Sequence, residues 1–228
     1  MQTSDRGLLA LIRHEGVVPG PYLDVKDVWT FGIGHTAIAG SPDPARLPRG
    51  MPANLDAGIR EAFRIFRTDL ATYEAEVLRT VKVPLEPHEF DALVSFHYNT
   101  GGIAKAALTH HLNAGNRAAA AAAFMGWLKP PAIRSRREAE RDIFARGLYS
   151  TGTIPVWSVD RNGRVDFSRP IRRLSEAEAL ALLRPLLNPP SNPMSPAPST
   201  AATDPAPVQA AASLTARILA FLKTLIGA

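Results

Sequence analysis

Glu15, Asp24 and Thr30 are the residues of this 228-residue chain whose types and spacing can do chemistry together. Two carboxyls with a hydroxyl nearby suit glycoside hydrolysis. One carboxyl protonates the leaving oxygen, the other activates water, and the hydroxyl holds that water. Glu15 falls in the last turn of a predicted helix, beside Leu11, Ile12, Val17 and Val18. The negative end of the helix dipole and an apolar surround both favour a protonated carboxyl, which a general acid needs.

The elements that must position these groups are short. Residues 4–15 read as an amphipathic helix capped by Ser4, with Leu8, Leu9, Leu11 and Ile12 on one face and Gly16 as its stop. Residues 22–34 alternate β-formers around a Lys26-Asp27 turn, so a hairpin carries Asp24 and Thr30. A long helical pattern runs over residues 54–81, with Ile59, Phe63, Phe66, Leu70, Tyr73 and Val77 spaced by three or four. Shorter helices follow at about 87–98, 103–113, 116–128 and 134–147. One hairpin lobe and then helices make an α+β, mainly helical fold, not a parallel α/β sheet.

The segment EGVVPGPYLDVKDVWTFGIGHT, residues 15–36, resembles the phage-type lysozymes, the endolysins of glycoside hydrolase family 24. The likeness continues through FDALVSF at 90–96, Tyr98-Asn99-Thr100-Gly101, Leu112-Asn113-Ala114-Gly115, Trp127 and RREAE at 136–140. It implies a lysozyme-like domain at 1–150 that cleaves the β-1,4 bond between N-acetylmuramic acid and N-acetylglucosamine in peptidoglycan. Glu15 would be the general acid, Asp24 the base or water-positioning carboxylate, and Thr30 the water-orienting hydroxyl. The resemblance also implies that Arg137 pairs with the acid, that His35 and Asp69 form a structural ion pair, and that Thr36 and Tyr98 line the sugar cleft. Inversion at the sugar carbon is what it suggests. Two competing readings are a lytic transglycosylase, which manages with the glutamate alone, and a non-catalytic wall-binding protein on the same fold.

Composition sets the remaining bounds. Lys plus Arg number 26 against 21 Asp plus Glu, a net charge of +5 that favours anionic partners such as a wall bearing stem-peptide carboxylates. With no cysteine, thiolate nucleophiles and cysteine-ligated metals are excluded. No HExxH motif accompanies the adjacent His110 and His111, so no metal or other cofactor is expected. Scattered cations without a recognisable motif argue against nucleic acid. No signal peptide or transmembrane run is legible, so a monomer waiting in the host cytoplasm for release to the wall is expected.

Beyond the first domain, residues 151–187 read as a small hairpin-and-helix appendage turning at Asn162-Gly163. Residues 188–212 read as a proline-rich linker, and 213–228 as an amphipathic helix. Leu214, Ile218, Phe221, Leu222 and Leu225 share one face of that helix, flanked by Arg217 and Lys223. Such a segment either docks back on the domain or lies on an anionic membrane surface.

Overall fold

In the computed structural model, residues 1–187 are described; the expected linker at 188–212 and terminal helix at 213–228 lie outside the described residues. Helix α1 (Asp5–Glu15) starts where expected, with the Ser4 side chain accepting from the Gly7 amide and Gly16 closing it at φ 71°. A three-stranded antiparallel sheet follows: β1 (Val18–Leu23), β2 (Trp29–Gly32) and β3 (His35–Thr36), in that order. The sequence reading had a two-stranded hairpin beginning at Tyr22. The structure starts β1 four residues earlier and adds β3, because Gly32 and Gly34 take left-handed φ values of 64° and 88° and fold the chain back.

The long helix α2 (Leu55–Thr80), capped by Asn54, packs on the sheet and on α3 (Pro87–Thr100). Its buried stripe is Ile59, Phe63, Phe66, Leu70, Tyr73 and Val77, the three-and-four spacing of the sequence. Two short helices, α4 (Ala107–Asn113) and α5 (Arg117–Ala123), lead to α6 (Arg134–Arg146), which lies along α3. Helix and sheet lobes share one core, in which Leu8, Ile12, Phe66, Phe90, Phe96 and Phe124 are fully buried. This is the α+β, mainly helical architecture expected.

Residues 154–187 then return to the sheet. Strand β4 (Ile154–Val156) pairs with β7 (Arg172–Leu174), and β5 (Ser158–Val159) with β6 (Val165–Asp166) around the Asn162-Gly163 turn. Helix α7 (Glu176–Leu187) packs on α1 and α2. No helix among the described residues is long and apolar enough to cross a membrane.

Candidate active site

Glu15 is the last residue of α1 and is only 4% exposed. It lines a small polar cavity with Gly34, Thr36, Ala39, Asp69, Tyr73 and Tyr98, which has room for about one water. The sheet register aligns the hairpin residues with Thr36, which lines this cavity. Thr30 stands opposite Tyr22 on one side and Thr36 on the other. Directly opposed residues of antiparallel strands share a face, so Tyr22, Thr30 and Thr36 form one row, and Thr36 places that row against the cavity. Asp24 directly follows β1, at the start of the turn that leads to β2. Phe31, on the opposite face, lines a larger cavity of about 360 Å3 with Pro19, Pro21, Leu47, Met51 and Ile65. That cavity is apolar and holds no pair of groups that could do acid–base work.

Asp24 does two things. One carboxylate oxygen accepts from the backbone amides of Lys26 (2.7 Å) and Val28 (2.9 Å), closing the turn in which Asp27 takes a positive φ of 58°. The other oxygen is buried and has no hydrogen-bond partner among the described residues. Thr30 is 1% exposed, and its hydroxyl donates to the Val28 carbonyl at 3.1 Å. Tyr98 donates its hydroxyl to the Ile33 carbonyl, tying α3 to the β2–β3 turn. Burial, with Asp69, Tyr73, Glu15 and Tyr22 around it, keeps that phenol well above its usual range.

The arginine that meets Glu15 is Arg136, and this corrects the expectation placed on Arg137. Arg136 donates through Nη1 to Glu15 at 2.5 Å, through Nε to Glu140 at 2.9 Å and through Nη2 to the Ser95 carbonyl at 3.1 Å. Arg137 is equally buried, but its hydrogen bonds go to other groups and it does not line the cavity. It bonds Asn99 at 2.8 Å and Glu140 at 3.0 Å, and its guanidinium lies 5.1 Å from the Phe96 ring centroid. The two side chains leave α6 about 100° apart and converge on Glu140, but only Arg136 bonds Glu15.

The electrostatics follow from this packing. Burial alone would lower Arg136, but Glu15 and Glu140 outweigh it and its pKa is raised. Arg137 is pushed down to about 10, mainly by burial. His14, next to Glu15 in the chain, is held neutral to about 3 by burial and by Arg136, Arg137 and Arg13. His35 bonds Asp69 at 2.8 Å and the Pro42 carbonyl at 2.8 Å. Those partners outweigh the opposing effect of burial and raise its pKa. The pair clamps the start of β3 to α2.

Sequence reasoning missed Ser95, Asn99 and Glu140. Glu140 is fully buried between the two arginines and accepts from the Ser95 hydroxyl at 2.8 Å. The signal available was the four-residue spacing of Arg136 and Glu140, which puts them on one helix face. Among the described residues no cluster of His, Cys, Asp or Glu could hold a metal ion.

Comparison with known proteins bears on this geometry. The phage lysozyme family profile matches residues 12–140, a stretch that includes Glu15, the hairpin and Arg136. The chain is 34% identical over 150 residues to the endolysin of Salmonella phage P22, covering 63% of this chain and 98% of that one. It is 32% identical over 142 residues to the SAR-endolysin of Escherichia phage Mu, covering 59% of this chain and 76% of that one. Among solved structures, the endolysin of Escherichia coli O157:H7 phage FAHEc1 superposes with a TM-score of 0.56 at 28% identity, over 66% of this chain and 98% of the other. With more than half of its length matched, the chain belongs to the phage lysozyme family and is a lysozyme-type, cell-wall-lytic peptidoglycan hydrolase.

Proposed function

We propose that the protein is a muramidase that hydrolyses the β-1,4 bond between N-acetylmuramic acid and N-acetylglucosamine, with Glu15 as general acid and Asp24 and Thr30 positioning the attacking water. Glu15 gives its proton to the glycosidic oxygen as the bond to the sugar carbon breaks. Water attacks the same carbon and loses its proton toward Asp24, while the Thr30 hydroxyl fixes the direction of approach. The observation that carries this reading is the state of Asp24: two backbone amides fix one oxygen, and the second is left to accept from water.

Glu15 is suited to its role by confinement. Arg136 holds one of its oxygens from behind, and Tyr98 and Thr36 wall the cavity on the sheet side. We assign Thr36 and Tyr98 to shaping the sugar cleft; Arg136 replaces Arg137 as the acid's partner. The test is loss of turbidity of purified sacculi by wild type and by Glu15→Gln. Removing a positioned acid typically costs 10²–10⁴, so at least ~10²-fold slower clearing is expected. Clearing at the wild-type rate by Glu15→Gln would remove the proposal.

A further inference from the structure

The family match ends at residue 140, and the unit formed by residues 154–174 lies beyond it. We infer that this unit is a positioning element for the reaction: it pins both ends of the β1 segment that runs from Glu15 to Asp24. The inference rests on the acid–base reading of those two carboxyls.

At the first end, Val17, two residues past Glu15, is held in a parallel bridge to β4. Its amide donates to the Pro155 carbonyl at 3.1 Å, and its carbonyl accepts from the Trp157 amide at 2.8 Å. At the second end, the Leu23 amide, one residue before Asp24, donates to the Gly163 carbonyl at 2.8 Å. Between them stand Pro19 and Pro21, which have no amide proton to offer. The outer edge of β1 is therefore gripped at its two ends by one appended unit, and its edge is covered.

Close packing makes that grip rigid. A Cβ on Gly163 would lie 2.7 Å from the Trp29 ring and 3.2 Å from Leu23, so the turn sits directly on the β1–β2 hairpin. A Cβ on Gly20 would lie 2.9 Å from Val159 and 2.2 Å from the Gly50 carbonyl. Val18, Tyr22, Trp157 and Val159 form a second small core of their own between hairpin and appendage. The appendage is in turn fixed to the helical lobe by Arg13 to Glu176 at 2.7 Å and Arg172 to Asp56 at 2.6 Å. One unit thus holds Val17, Leu23, α1 and α2 together. Acid and water-positioning carboxylates must keep a fixed separation, and a misplacement of about 1 Å can cost ~10²-fold in rate.

The test is Gly163→Val, which strains the backbone at φ 80° and drives a branched side chain into Trp29 and Leu23, lifting the turn off the hairpin. On soluble glycan strands of alternating N-acetylglucosamine and N-acetylmuramic acid, kcat should fall ~10²-fold with KM little changed. Amide exchange at Leu23 should quicken while α2 and α3 keep their protection. Wild-type kcat, or a loss carried wholly by KM, overturns the inference. A second variant covers the case in which Gly163→Val does not fold. In this cysteine-free chain, Val17→Cys with Val156→Cys forms the single disulfide across the bridge. The oxidised protein should turn over as well as the reduced one, because the grip persists through the cycle. Turnover lost on oxidation and restored by reductant overturns the inference. Glu15→Gln, assayed beside both, separates the two levels: if it stays active the acid reading fails, whatever Gly163→Val does.

Discussion

Replacing Arg136 by Met should be among the most damaging single substitutions in the molecule, and the reason can be worked from its contacts. The guanidinium is fully buried and divides its donors among Glu15, Glu140 and the Ser95 carbonyl. Glu140 is itself fully buried, so removing Arg136 takes away its Nε partner and leaves it only Ser95 and the less well-placed Arg137. Breaking a buried pair by deleting one partner costs about 3–5 kcal/mol. For a folded unit of this size that corresponds to a drop of about 6–20 °C in Tm. Arg137→Met should cost less, because it leaves Glu140 with Arg136 and Ser95 and leaves the Arg136–Glu15 pair intact. Only Nη2 of Arg137 is engaged, with Asn99 and Glu140, while its Nε and Nη1 have no partner among the described residues, so fewer bonds are lost with it than with Arg136. The double variant Arg136→Met with Glu140→Met should be more stable than Arg136→Met alone, since it removes the stranded carboxylate together with its cation. Urea denaturation followed by far-UV circular dichroism measures these proteins together with Glu140→Met, which completes the Arg136–Glu140 cycle. The reasoning is refuted if Arg137→Met costs more than Arg136→Met, or if the Arg136–Glu140 cycle shows no coupling.

Further expectations concern the hairpin and the buried histidines. Asp24→Asn retains an oxygen for the Lys26 and Val28 amides, so the turn and the melting temperature should survive while clearing of sacculi falls by ~10²-fold or more; a fully active Asn variant would exclude Asp24 from catalysis. His14 and His97 are depressed to about 3 and about 4, chiefly by burial, from an unfolded value of about 6.5. As pH falls below about 6.5 the unfolded chain takes up these protons first, so stability should decline toward pH 4 by a few kcal/mol in all. His14→Gln and His97→Gln should each flatten that decline in melts between pH 4 and 7, and an unchanged slope in both would show that other groups set the acid limb. His35 works with the opposite sign: its raised pKa means that its pairing with Asp69 stabilises fully below about pH 6.5 and is lost as pH climbs through the folded value.

Much of the site was legible in the sequence because it is built from near neighbours. The Ser4 cap, the apolar face of α1 and the Gly16 stop place Glu15 at a helix end, and the Asp24 turn and the strand alternation place Thr30. These are consequences of backbone periods and turn chemistry that operate over a few residues. The extension of β1 back to Val18 was hidden by Pro19 and Pro21, which weaken a strand signal but are tolerated on an edge.

What the chain alone could not decide was every choice made across long separations. Arg136 and Arg137 are equivalent in type and adjacent in position; only the tertiary placement of α6 along α3 selects the first, 121 residues from Glu15 in the chain, as the partner of Glu15. The burial of Glu140 is decided by the fold, which closes Ser95 and two arginines around it. The return of residues 154–163 to the edge of β1 is likewise a tertiary event, driven by burial of Trp157 and Val159 with Val18 and Tyr22. Local spacing fixes which face a side chain leaves from; which partner waits there is settled by the one arrangement that buries the core and leaves the fewest charges unpaired.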